Sequence, residues 1–206
     1  EQLEQQNWSK AKRQTAHQKL TQSGIPPAKT LASRLLTITY AQQSILEELA
    51  QLFAIDFNQF LQTRQPYLQS SQIRTMINDG FHFGAHSIDH PHYAALAFEE
   101  QIRQTQESLD WLSTTFQVPH RTFAFPFTDD GVSTAFFQQL ANTQMAELTF
   151  ACAGLKQAQF PFHFQRIPLE AYPSSAAQQM RGEYWYYLLK AVLGKNKIHR
   201  NNSPAK

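Results

Sequence analysis

Cysteine is almost absent from this 206-residue chain. Cys152 stands alone, which excludes a disulfide framework and any cysteine-rich zinc site. Long hydrophobic runs are missing too. No stretch of about 18 apolar residues occurs, so no transmembrane helix is expected, and the first residues do not read as a signal peptide. Charge is sparse at 17% of residues, and a net charge of +2 gives no argument for a nucleic-acid partner. The chain has no glycine-rich phosphate loop and no Gly-x-Ser-x-Gly elbow. What it does have is a 42% hydrophobic composition. That is globular, and a chain of this size buries roughly 70% of its unfolded surface. Glutamine replaces lysine and glutamate on many predicted helices and reads as surface dressing.

Hydrophobic spacing divides the chain into three stretches. Residues 1–65 read as a helical region of the same domain: a polar helix to about residue 23, stopped by Gly24 and Pro26-Pro27, then a helix over 41–54 and a short one around 56–63. The spacing of Leu35, Leu36, Ile38 and Tyr40 leaves strand and helix end both open. Residues 66–172 alternate. A helix from Ser70 or Ser71 ends at Asp79-Gly80, and strands are predicted at "FHFGAH", "RTFAFPF", "LTFACAG" and "FQRIPLE". Between them lie a long helix over 97–116, with Phe98, Ile102, Leu109, Leu112 and Phe116 as its stripe, and a helix at "TAFFQQLANT". This order predicts an α/β fold with a parallel sheet. Residues 173–206 form a final helix, "AAQQMRGEYWYYLLKAVLG", and a basic tail expected to be solvated and mobile. The aromatics of that helix are expected to dock on the domain, and a membrane-surface role is the alternative. Cys152 is expected to be a small buried residue.

The chemistry concentrates in "GAHSIDHPHY", residues 84–93, where three histidines fall within seven positions. Gly84 to His86 ends a predicted strand and Pro91 argues against a helix, so His86 and His90 are expected to face one pocket from a strand end and its loop. Parallel α/β folds place their sites at the carboxyl ends of strands. Neutral imidazole is a good zinc ligand, and a catalytic zinc takes three protein ligands and keeps one position open. A solvated loop whose histidines bond backbone and water is the alternative. His92, set beyond Pro91, fits that alternative better.

"GFHFGAHSIDHPHY" resembles the second motif of the polysaccharide deacetylases, the NodB-homology group: His-Ser/Thr-x-x-His after a strand. "RTFAFPFTDDGVS" resembles the third motif in its Phe-Ala-Tyr-Pro variant, and "HFQRIPLE" resembles the late strand. The resemblance covers roughly residues 66–170. It implies a partial, distorted (β/α) barrel whose first strands are missing, and a hydrolase that deacetylates an N-acetylated carbohydrate with a divalent metal, commonly zinc. His86 and His90 match the metal ligands, and Ser87 matches a residue that shapes the loop by hydrogen bonding. Phe125, Pro126 and Phe127 match the substrate-groove wall. The Phe127 main chain matches the oxyanion donor.

Other parts of the family pattern have no counterpart. The first motif, Thr-Phe-Asp-Asp-Gly, supplies the base and the third ligand. "INDG" at 77–80, Asp89 and Asp129-Asp130 do not match it in position. Ala124 stands where the arginine of the Arg-Pro-Pro-Tyr form would be, and His163 matches the late catalytic histidine by residue type alone. One expectation is that the domain's first strands lie upstream of Glu1. The other is loss of the motif, leaving a non-catalytic carbohydrate-binding or scaffold protein on the same fold.

Overall fold

Ser9 starts α1 (Lys10–Gln22), the first helix among the described residues, by accepting a hydrogen bond from the Lys12 N–H. Thr30 caps α2 (Leu31–Leu35) through a reciprocal capping box with Ser33. Asp56 caps α4 (Phe57–Arg64) by accepting from the N–H groups of Asn58 and Gln59. Between them runs α3 (Ile45–Phe53). These helices fall in the first of two units, residues 1–72 and 73–206. The computed structural model describes residues 8–171 and 173–202. Among the described residues the first unit has no strand, in line with its helical sequence pattern. The open spacing at 35–40 resolves as the end of α2 and a 3-10 turn at Tyr40–Gln42.

Ala16 and Leu20 of α1 pack on Ile45, Leu49 and Phe53 of α3, with Ile25 completing the cluster. The Trp8 ring lies 4.6 Å from that of Phe53. Beside this core Arg34 is buried to 3% exposure. Its guanidinium donates to the carbonyls of His17 (2.9 Å), Ile25 (2.6 Å) and Pro26 (3.1 Å) and to Thr21 Oγ1 (2.9 Å). It thereby satisfies the turn after α1, where carbonyls lose their helical partners. Arg34→Met keeps the stem but strands these acceptors, and is expected to destabilise the first unit by about 3 kcal/mol in urea unfolding.

In the second unit, α5 (Ser70–Asn78) crosses the division and is closed by Gly80 at φ 91°. A three-stranded parallel sheet follows in the order β1 (Thr122–Ala124), β2 (Leu148–Ala151), β3 (His163–Gln165). Phe123 pairs with Thr149, and Phe150 with Phe164. Helix α6 (Phe98–Phe116) precedes β1, α7 (Thr134–Thr143) connects β1 to β2, and α8 (Ala176–Val192) follows the sheet. This is the expected α/β order with a smaller sheet. "FHFGAH" contributes one parallel bridge, Ala85 to Phe123, in place of a full strand. The Ala85 N–H donates to Thr122 O (2.8 Å) and Ala85 O accepts from the Ala124 N–H (2.9 Å). Gly84 permits this approach, since a Cβ there would overlap Thr122 Oγ1 and lie 3.0 Å from Thr122 O.

The core of this unit is an aromatic stack of Tyr93, Phe123, Phe125, Phe136 and Phe137, whose neighbouring rings meet edge-on or tilted at 5.2–5.9 Å. Three readings of the sequence need correction. Cys152 is exposed, because it follows β2 at the sheet's open carboxyl end. The basic tail is docked: Ile198 N–H donates to Gln157 O (3.0 Å), and Asn201 O accepts from the Thr134 N–H (2.9 Å). The final helix turns Tyr184, Trp185 and Tyr186 outward and only Tyr187 toward the protein.

Candidate active site

Two segments meet at the carboxyl end of β1. His86 follows the Ala85 bridge, and Phe125-Pro126-Phe127 follows Ala124. The His86 Nδ1–H donates to the Ala124 carbonyl at 2.7 Å, which fixes the tautomer and leaves the Nε2 lone pair free to bind. Burial is the main influence on His86 and lowers its pKa below the usual histidine value; the Ala124 bond opposes this, and His90 adds to it. The downward shift favours the neutral ring, the form a metal requires. His86 Nε2 faces His90 Nε2 at 3.1 Å, with ring centroids 4.8 Å apart. Two nitrogens each about 2.0–2.1 Å from one tetrahedral ion stand roughly 3.3 Å apart, so the pair fits a shared ion.

The loop between them is under backbone constraint. Seven non-glycine residues have positive φ among the described residues, and Ala54, Gln65, Gln117 and Gln144 are helix C-caps. The other three are Ser87 (φ 68°), His90 (φ 55°) and Phe127 (φ 55°), all in this site. Such conformations persist where surrounding contacts over-determine them. Ser87 Oγ accepts from the His90 N–H at 3.0 Å, as the family resemblance implies. Gln104, fully buried on α6, accepts from the N–H groups of Ile88 (2.9 Å) and Asp89 (3.2 Å). Its amide donates to Asp89 Oδ2 at 2.7 Å. Gln101 donates to the Tyr93 carbonyl at 2.7 Å.

The sequence pattern makes both glutamines surface dressing, and the structure corrects this. The buried face of α6 in fact begins with Gln101, Gln104 and Thr105 and turns apolar only at Leu109, Leu112 and Phe116. Their helical spacing on the same face as those leucines was the available signal. Gln104→Ala is expected to cost about 1–3 kcal/mol in urea unfolding, because it leaves two part-buried N–H groups without an acceptor and cuts the tie to Asp89, and to weaken zinc binding by about 10–100-fold.

Of the groove residues, only Phe127 is presented to solvent. Its ring stacks on His92 at 4.1 Å and meets His90 edge-on at 4.6 Å. Phe125 and Pro126 are corrections to the sequence reading. Phe125 is wholly buried in the aromatic core, and Pro126 is covered as well, so both support the loop from beneath and form no groove wall. Among the described residues, the Phe127 N–H has no hydrogen-bond acceptor.

No three His, Cys, Asp or Glu side chains gather to hold a metal ion among the described residues. Asp129 and His163 are engaged elsewhere. His163 is buried, with Nδ1 on Thr149 Oγ1 (2.7 Å) and Nε2 on Asp129 Oδ2 (2.9 Å). Arg200 of the tail pairs with the same Asp129 oxygen and donates to the carbonyls of Asp129 (2.9 Å) and Val132 (3.2 Å). Its guanidinium lies over the Phe137 ring at 4.1 Å. This network anchors the loop that carries Phe127.

A family model for polysaccharide deacetylase matches residues 43–148, just over half of the chain. No curated protein and no solved structure gives a match. The matched span starts upstream of the region carried by the motifs and ends as β2 begins, so the late strand lies outside it. Inside it lie both the His86–His90 loop and the Phe123–Phe127 turn that the fold brings together, and the chain belongs to the polysaccharide deacetylase family.

Proposed function

We propose that this chain carries the histidine part of a divalent-metal site, zinc by donor chemistry, for hydrolysis of the acetamide of an N-acetylated carbohydrate. The observation that supports it best is the facing Nε2 pair at 3.1 Å, with the His86 tautomer fixed by Ala124. When bound, the ion polarises the acetyl carbonyl and lowers the pKa of a bound water. His86 and His90 hold it, and Gln104 and Ser87 hold the loop that presents them. The Phe127 N–H donates to the oxygen on which negative charge develops, the kind of contact worth about 10²–10³ in rate. The stacked pair of Phe127 and His92 is exposed and offers an aromatic surface for the apolar side of a sugar ring. The parallel strands and the Ala85 bridge are read as one side of the distorted (β/α) barrel that the family resemblance implies. This chain is assigned two metal ligands, and no residue is assigned as the base.

The test is acetate release from an N-acetylglucosamine oligosaccharide. The expected result is release that stops with a chelator and returns with zinc. A second reading is non-catalytic sugar binding on the same fold. Oligosaccharide binding unchanged by a chelator, with no acetate released, would decide for that reading.

A further inference from the structure

Helix α8 is built inside out. Its partly covered residues are Gln179, Met180, Glu183, Tyr187 and Lys190; all but Met180 carry polar groups and recur at helical spacing, making one mostly polar stripe turned to the protein. Gln179 donates to the carbonyls of Leu169 (2.7 Å) and Ser174 (2.8 Å), and the Tyr187 hydroxyl donates to Ala153 O (2.8 Å). The opposite face is apolar and bare: Trp185 is 66% exposed, Leu189 67% and Val192 84%, with Leu188, Leu193 and Tyr186 beside them. A helix anchored by its polar stripe with its apolar face in solvent has the reverse of the usual arrangement, and a contiguous apolar patch of this kind marks a binding surface.

Charge selects the occupant. Glu183 is the helix's one acidic residue and lies on the covered stripe, against Gly154. The exposed charges along and just beyond the helix, Arg181, Lys195 and Lys197, are all cationic. Two copies meeting through this face would bring like charges together, whereas an anionic surface neutralises them. Leucine and valine side chains do little for a sugar, which stacks on planar rings, but insert readily among acyl chains. Trp185 and Tyr186 are suited to the headgroup boundary, where an apolar ring with one polar atom is favoured. No helix among the described residues is long and apolar enough to cross a membrane, so α8 lies on a surface and does not span it.

We infer that the outward face of α8 is a docking surface for an anionic lipid bilayer. It lies apart from the histidine loop in sequence and does not depend on the deacetylase reading. The test is co-sedimentation of the full chain with vesicles of phosphatidylcholine, with and without phosphatidylglycerol, at low and high salt. The expected result is binding to the anionic vesicles, weakened by salt and by roughly fivefold in Arg181→Gln. Binding should fall more than about tenfold in the Leu188→Ser/Leu189→Ser variant, whose exposed positions leave folding, checked by circular dichroism, intact. Lack of sedimentation with anionic vesicles overturns the inference, as does binding unchanged in the double variant. A wild-type dimer in analytical ultracentrifugation that the double variant splits, with no vesicle binding, would overturn it in favour of a second copy.

Discussion

Acetate release by the intact protein is expected to fall by at least about 10²-fold when either His86 or His90 is replaced by alanine. The two substitutions fail for the same reason. Each removes one of the two facing nitrogens at 3.1 Å, and the remaining imidazole does not hold an ion alone. His86→Ala also abandons the Ala124 carbonyl, whose bond sets the approach of the two segments. His92→Ala is the control: it stacks on Phe127 and is assigned no ligand role, so its effect is expected below tenfold and mainly in KM. Bound zinc, measured on the same samples, should track activity in the His86 and His90 variants and stay at the wild-type level in His92→Ala. Full activity with either of the first two would remove the metal role.

Asp129→Asn is expected to destabilise the second unit by about 3 kcal/mol at neutral pH, since it leaves a buried guanidinium without its carboxylate. Burial by itself pushes the Asp129 pKa up. The His163 hydrogen bond and the Arg200 contact outweigh it and hold the carboxyl at about 2, against an ordinary 3.8. A depressed carboxylate pKa adds stability that is complete above the unfolded value and is lost as pH falls through the folded one. Here that window runs from about pH 4 down to pH 2, and the shift corresponds to about 2 kcal/mol. Urea midpoints measured across this range should fall steeply for the native chain and more shallowly for Asp129→Asn. Parallel pH profiles would show that Asp129 is not the group lost in acid.

Much of this was legible in the sequence because it is local. The helices expected at "TAFFQQLANT" and "AAQQMRGEYWYYLLKAVLG" form where Ser133 and Ser175 cap them within three residues. The His86–His90 spacing and the Phe-Ala-Phe-Pro-Phe string are short patterns whose meaning survives without a fold. What was not legible depends on partners far along the chain. Gln104 reaches back 15 or 16 residues to the histidine loop, and Arg200 reaches 71 residues to Asp129. Polar residues at core positions look like surface until their partners are known, which is why the glutamines and the basic tail were misjudged. Phe125 and Pro126 show the converse: a motif places the turn but not which of its side chains point inward. In α8 the aromatic content suggests a helix docked by its rings, whereas the fold uses a mostly polar stripe that includes only Tyr187 of them as the inner face.

The most direct measurement is a calorimetric zinc titration of the 206-residue chain beside His86→Ala and His90→Ala. Zinc binding at one site that disappears in both variants is the predicted result. Binding of equal strength in all three proteins would contradict the assignment of His86 and His90 as the metal ligands.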